Sequence, residues 1–261
     1  MNALSIAASG MQAQQLNVDV ISHNIANMNT TAYKRQRAEF ADMLYQNLQR
    51  PGATSSSDGR VMPLGIQIGV GVRTDAVARQ TEQGGMNKTD NPYDMAVDGR
   101  GYFQLTLPSG QIAYTRAGNF AVNADGQLVS SDGYPVEPAI TVPPEATAVS
   151  ISRDGIVEAT LTGQTAPQQL GQLEIANFIN PAGLEAVGDN MFLETPASGT
   201  ATTATPGQPG YGTLMQGYLE ESNVNAVEEI SSLIVAQRAY EMNARVITAA
   251  DEMLQTTTQV R

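Results

Sequence analysis

Counted in sevens, the apolar residues at the start of the chain fall into two rows. Leu4, Met11, Val18 and Ile25 make one, and Ala7, Gln14, Ile21 and Met28 make a second, three residues further on. That spacing is an a/d stripe and predicts a helix over about residues 4–26. Asn27 and Asn29 follow as candidates for left-handed, helix-ending positions. The stripe is narrow and its flanks are uncharged: before Lys34, Asp19 is the one side chain charged at neutral pH. A helix with so little apolar face gains too little to stand alone against its nucleation cost. With so little charge it is also poorly suited to water on every side. The pattern predicts enclosure by other helices.

A matching pattern closes the chain. Ala226, Leu233, Tyr240, Ile247 and Leu254 repeat at strict sevens, with Ile230, Ala236 and Ala250 beside them. Asn225 followed by Glu228 has the form of a helix cap. Between these helices the period changes. Residues 38–49 read as a short helix or turn with Phe40, Met43, Leu44 and Leu48 on one face, and Pro51-Gly52 stops it. The polar stretch that follows, up to Gly65, is longer than an ordinary connection in a compact domain. Ile66, Ile68, Val70 and Val72 then alternate with Gln67, Gly69, Gly71 and Arg73, which predicts a strand with one buried face. Its glycine face is open to close approach by another backbone. From residue 90 to 195, short apolar runs alternate with turn dipeptides: Asp98-Gly99, Ser109-Gly110, Asp125-Gly126, Asp132-Gly133 and Asp154-Gly155. This is the pattern of a compact sheet or barrel built from hairpins. Residues 196–213, rich in Pro, Gly, Ala, Ser and Thr, read as a link. The fold class is α+β, with helical ends and a β-rich middle.

Composition narrows the chemistry. The chain has no Cys and one His, which excludes disulfides, thiol nucleophiles and Cys/His zinc sites. A net charge of −12 argues against nucleic acid and anionic membranes, because phosphate neutralisation needs clustered cations. Lys34, Arg35 and Arg37 form a basic cluster, but they are better matched to acidic residues such as Glu228, Glu229 and Glu241 in the other terminal segment. His23, set among Ser22, Asn24 and Asn27, reads as a hydrogen-bonded interface side chain in preference to a triad member. No catalytic, cofactor-binding or metal-ligating set stands out. No run is long enough to span a membrane, and the N-terminus lacks the basic and apolar regions of a secretory leader. The default expectation is a cytoplasmic chain; the alternative is export by a route that cleaves no leader.

Three ordered motifs carry a family resemblance. Asn24-Ile-Ala-Asn27-Met-Asn29-Thr30-Thr-Ala-Tyr33-Lys34-Arg35-Gln36 is similar to the N-terminal signature of the bacterial flagellar rod and hook proteins. Ser222-Asn223-Val224-Asn225-Ala-Val-Glu228-Glu229, with Gln237-Arg238-Ala239-Tyr240-Glu241-Met-Asn243, resembles their C-terminal signature. Asp94-Met-Ala-Val97-Asp-Gly99-Arg-Gly101-Tyr102-Phe103 resembles the entry to their central β domain. Ala32 departs from the pattern, standing where many members have Gly. Within the family, the length and the segment 45–65 resemble the distal rod members; a proximal-rod or hook-type axial subunit is the alternative. The resemblance implies a structural subunit without catalysis or cofactors. Its terminal helices would pair as an antiparallel coiled coil lining a straight, rigid, hollow tube, with β domains outside and an extended hairpin-like insert. The tube would transmit motor torque to the hook and pass exported subunits through its channel. Implied partners are copies of the chain, neighbouring rod and hook subunits, the flagellar type III export apparatus and outer ring (bushing) proteins, with no nucleic acid and no membrane insertion. The implied location is the periplasm-spanning rod of the basal body, reached without a cleaved signal peptide.

On that reading residues 1–33 and 222–261 are the two helical halves of the inner wall. Residues 34–75 are a linker with the polar insert (46–65) and the following strand, 76–200 the outer β domain, and 201–221 a return linker. Self-assembly contacts are expected from Leu4, Met11, Val18, Ile21, Ile25 and Met28 on the first helix. On the last helix they are expected from Ile230, Leu233, Gln237, Arg238, Tyr240, Ile247 and Leu254. The family-motif residues are Asn24, Asn27, Asn29, Tyr33, Lys34, Arg35 and Gln36, and rod stiffening is assigned to Gln46, Pro51, Gly52, Ser56, Asp58 and Met62. Two other classes fit the residues without the resemblance: a non-polymerising adaptor or binding module, and a carbohydrate-active enzyme.

Overall fold

The computed structural model describes residues 2–49, 65–163 and 166–259. The two heptad stretches form α1, Asn2–Ala26, and α2, Ala226–Gln259. Between them the elements are strands and one turn of 3-10 helix at Pro181–Gly183. Asn225 caps α2, its Oδ1 accepting the Val227 N–H at 3.1 Å. Glu228 and Glu229 follow in the first turn, where the helix dipole favours negative charge. The chain folds as two compact units: one holds both helices and Gln36–Ala78, the other Asn27–Arg35 and Arg79–Val224.

In the first unit the helices meet through small and polar residues. A Cβ on Gly10 would come within 2.9 Å of Asn243 Nδ2, and Asn24 Nδ2 donates to Glu229 Oε2 at 3.2 Å. In α2 it is Glu229, Ala236 and Ala250 that are buried, with Asn243 half-buried between them. The expected apolar row is therefore rotated off the seam: Leu233 and Ile247 are half-buried, while Ile230, Tyr240 and Leu254 are exposed. In α1 the shift is partial, since Ala7 and Ile21 of the second expected row keep their place. Ala7, Ala13, Val20, Ile21 and Asn24 are buried, Leu4, Met11, Val18 and Ile25 are half-buried, and Met28 is exposed. Helix spacing depends on the side chains at the contact, so Ala, Gly and Asn draw the axes together and leave the larger side chains on the flanks.

Residues 36–49 are strands, not a short helix. β1, Gln36–Asp42, and β2, Tyr45–Gln49, pair with β4, Val72–Arg79, and β3, Ile66–Gly69, respectively. In the β2–β3 register Tyr45 lies opposite Gly69 and Gln46 opposite Ile68. The Met43 N–H donates to Gly71 O at 2.9 Å, and the Val70 N–H to Leu44 O at 3.2 Å, joining the two pairs into one ribbon. Alternation predicted one strand over 66–73; the structure interrupts it after Gly69 and resumes it at Val72, and Ile66 and Ile68 are not buried, at 49% and 41% exposure. A two-stranded ribbon has no second layer to cover them. The glycine face does receive a close neighbour, a side chain of α1: at Gly71 (φ +139°) a Cβ would lie 2.3 Å from Ser9 Oγ. That hydroxyl accepts the Val72 N–H at 3.3 Å.

The second unit is β throughout, with β5 Met86–Lys88, β6 Met95–Asp98, β7 Phe103–Thr106 and β8 Ile112–Thr115. β7 and β8 sit inside a five-stranded antiparallel sheet completed by Val136–Glu137, Met191–Leu193 and Glu185–Gly188. Ala146–Ile151, Ile156–Leu161 and Gln168–Gln172 form a three-stranded sheet. The stretch read as a return linker is woven into this unit. Thr202–Ala204 pairs with Ile175–Asn177, Thr213–Gln216 with β6, and Tyr218–Glu220 with β5. These strands are too short and too poor in apolar residues for alternation to show. The core is Met95, Phe103, Leu105, Phe120, Leu173, Ile175 and Leu214, with Phe103 and Phe120 edge-to-face at 5.1 Å. In all five expected turn dipeptides the glycine takes positive φ.

Neither Asn27 nor Asn29 is left-handed; Ala32 is, at φ +58°. It is buried and its N–H donates to Glu220 O at 2.8 Å, so the chain cannot relax around it. An L-residue there costs about 1–2 kcal/mol that Gly avoids. Ala32→Gly is therefore expected to raise the melting temperature by about 2–4 °C, a net gain near 1 kcal/mol after the extra unfolded-state entropy of Gly. Calorimetry showing a lower melting temperature would contradict this reading of Ala32.

Candidate assembly site and its buried ion cluster

The N-terminal signature is spread over both units, and in each a side-chain amide or charge does the joining. In the first unit, Asn24 in the last turn of α1 mimics a β-bridge with Gln36. Its Oδ1 accepts the Gln36 N–H at 2.9 Å and its Nδ2 donates to Gln36 O at 2.8 Å. The other Nδ2 hydrogen is the one that reaches Glu229. One acceptor and two donors are thus engaged at once, which among short side chains only an amide provides.

In the second unit Tyr33 and Lys34 are buried. Lys34 Nζ pairs with Glu220 Oε1 and donates to Glu82 O at 2.8 Å. Arg116 Nε donates to Glu220 Oε2 at 2.9 Å, and three of its other N–H groups reach the carbonyls of Gly99 (2.8 Å), Gly101 (2.7 Å) and Val97 (3.2 Å). The Gly84 N–H adds a bond to Glu220 Oε1 at 3.0 Å. Burial would push the Glu220 carboxyl up, but Arg116 and Lys34 more than offset it and hold it below the usual carboxylate range. For Lys34 burial prevails, lowering the ammonium from its ordinary value against the pull of Glu220, and Arg116 adds to the lowering.

The expected pairings are corrected at two positions: Lys34 meets Glu220, not a glutamate of α2, and Arg37 meets Glu39 at 2.8 Å on the surface. Asn223 of the C-terminal signature is a second clamp. Its Oδ1 accepts the Arg35 N–H at 2.7 Å, and its Nδ2 donates to Gln80 O (3.2 Å) and Glu82 O (3.0 Å). Asn27 Oδ1 accepts Thr30 Oγ1 at 3.1 Å, Arg35 and Gln36 are half-buried, and Asn29 and His23 are exposed. Arg116 and Glu220 were missed because single charges so far apart in the chain have no local spacing to betray them.

The first unit also carries most of the exposed large apolar side chains. Leu44 (86%), Leu48 and Tyr45 project from the ribbon, and Val227 (73%), Ile230, Val235, Met242 and Met253 from α2. Gln237 and Arg238 are exposed among them, as is Gln46 in β2. Pro51, Gly52, Ser56, Asp58 and Met62 lie outside the described residues. Apolar surface on this scale marks an interaction face, and the fold defines a structural subunit with helical ends. Comparison with known proteins specifies it. Residues 4–34 match the family model described as flagella basal body rod protein, 96–159 that of the flagellar hook protein FlgE/F/G D1 domain, and 215–260 the flagellar basal body rod FlgEFG C-terminal model. The chain is 60% identical to the flagellar basal-body rod protein FlgG of Caulobacter vibrioides over the full length of both. It is 38% identical to FlgG of Bacillus subtilis over 98% of this chain and 97% of that one. Identity to FlgF of Caulobacter vibrioides is 30%, over 97% and 94%. The chain belongs to the flagellar basal-body rod protein family.

Glu220→Gln leaves Lys34 and Arg116 without their counter-charge, at an expected loss of about 3–5 kcal/mol at pH 7. Because the folded carboxyl is depressed, its contribution is full above the unfolded value of about 4.3 and is lost as pH falls through the lower folded value. Denaturant unfolding of both chains at pH 7 and in acid should show the difference shrinking on acidification. Equal stability at pH 7 would remove the cluster from its structural role.

Proposed function

We propose that the chain is the subunit of the flagellar distal rod, self-assembling into a straight, rigid, hollow tube that transmits motor torque to the hook and passes exported subunits through its channel. One observation carries the reading: identity of 60% to a FlgG against 30% to a FlgF of the same organism. It acts without catalysis. It resides in the periplasm-spanning part of the basal body, reached through the flagellar type III export apparatus. Its neighbours are copies of itself, adjoining rod and hook subunits, and ring proteins.

The terminal helices pair as an antiparallel coiled coil. Support comes from Gly10 facing Asn243 and Asn24 facing Glu229, where the contact moves fourteen residues on in one helix and fourteen back in the other. The half-buried Leu4, Met11, Val18 and Ile25 of α1 and the exposed Ile230, Tyr240 and Leu254 of α2 are then contacts for neighbouring subunits. The β2–β3 arm, with Leu44, Tyr45, Gln46 and Leu48, reaches across neighbours and opposes their sliding.

Electron microscopy of assemblies grown from the full chain is expected to show straight tubes; curved tubes would favour a hook-type subunit, and a persistent monomer an adaptor. Deletion of residues 46–62 is expected to leave polymerisation intact and make the tubes bend. Deleted assemblies as straight and stiff as the parent would sink the stiffening role of the insert.

A further inference from the structure

In the second unit a cavity of about 340 Å³ lies beside the ion cluster, lined in part by Lys34, Arg100, Arg116, Tyr102, Phe178 and Ile179. Its charge is unbalanced. Lys34 and Arg116, with side chains 4% and 6% exposed, share one carboxylate, that of Glu220 at 0%. An ammonium has three N–H donors, and Glu220 and Glu82 O accept two of them. The third belongs to a buried cation at the wall of a cavity. A carboxylate entering the cavity would supply both the acceptor and the missing negative charge.

The rim says how that carboxylate arrives. Ile179 is 91% exposed and Arg100 is exposed beside it. A free anion has no use for a projecting isoleucine, whereas a protein surface bearing an acidic side chain next to apolar groups matches both. We propose that the cavity receives an Asp or Glu side chain from a second copy of this chain, its carboxylate bonding Lys34 Nζ while Ile179 packs on the neighbour. Acidic residues outnumber basic ones 26 to 14, so a second copy of this chain offers many carboxylates to this cationic hollow. A contact between two unlike patches is also the kind that propagates an open helical polymer. The inference rests on the rod-subunit reading above.

The chain has no Cys, so Ile179→Cys introduces a single thiol. Its reaction with a maleimide is expected to be about tenfold slower or more in assembled rods than in monomer, as for a side chain buried at an interface. Arg100→Glu, on the exposed rim, is expected to keep the monomer's melting temperature and to lower association at low salt about tenfold. Equal maleimide rates in rods and monomer overturn the cavity as a contact and leave the rod reading intact. Normal assembly of the Arg100→Glu chain overturns the carboxylate, even with the thiol protected. Failure of the unsubstituted chain to form rods overturns the rod reading, and this proposal with it.

Discussion

One buried carboxylate organises the second unit. Glu220 ends a strand near the C-terminal signature, yet its two oxygens hold Lys34 of the N-terminal signature, Arg116 of the central region and the backbone of Gly84. Arg116 then passes the restraint on to three carbonyls in the segment 97–101. Four segments far apart in sequence are fixed by a single ion, and none can shift without stranding a charge in a low-dielectric interior. Such a cluster adds little net stability compared with an apolar replacement, because desolvating three charges consumes most of the attraction. Its contribution is to geometry. The chain has to leave and re-enter the unit at set positions, and directional charge contacts set positions better than interchangeable apolar ones.

The two amides, Asn24 and Asn223, serve the same end by other means. Each satisfies several backbone groups with one short side chain, Asn24 between α1 and the start of β1, Asn223 between residues 35, 80 and 82. They occur where the chain changes from helix to strand or from strand to helix. At such joints the regular ladder has stopped and backbone groups would otherwise be unpaired. The density of Asn in both signatures is therefore a property of junctions, in the same way that Gly density is a property of turns.

Much of this was legible. The helix limits were legible from heptads and from the Asn225 cap, and the hairpins of the central region from their Asp-Gly turns, because both signals are local. What was hidden depends on distance or on a neighbour. Residues 38–49 read as a short helix or turn because Phe40, Met43, Leu44 and Leu48 suit either period when no partner strand is known. Residues 202–220 looked like a link because strands of three or four residues, set among Pro and Gly, are too short for an alternation to register. The heptads revealed the helices and part of the seam, Ala7, Ile21, Ala236 and Ala250, but gave Leu233 and Tyr240 the leading place, since counting apolar residues overlooks that small side chains admit closer packing. The strain at Ala32 was visible only as a departure from a family Gly, and its cause needed the backbone angle.

The contrast between the units bears on what the protein needs from its surroundings. Among the described residues, the largest side chains with less than 2% exposure are Phe103, Phe120, Met95, Leu105 and others of the second unit; the single member from the first unit is Glu229. A unit whose deepest large side chain is a carboxylate, and whose Leu and Val side chains stand exposed on a ribbon and a helix, has buried little of the apolar area that offsets conformational entropy. The second unit closes a core of its own, and its stability is intrinsic. That of the first must be linked to what covers it, and so must rise with the concentration of whatever does the covering. Of the two units of the chain, one closes a core of its own and the other leaves its large apolar side chains for a partner to cover.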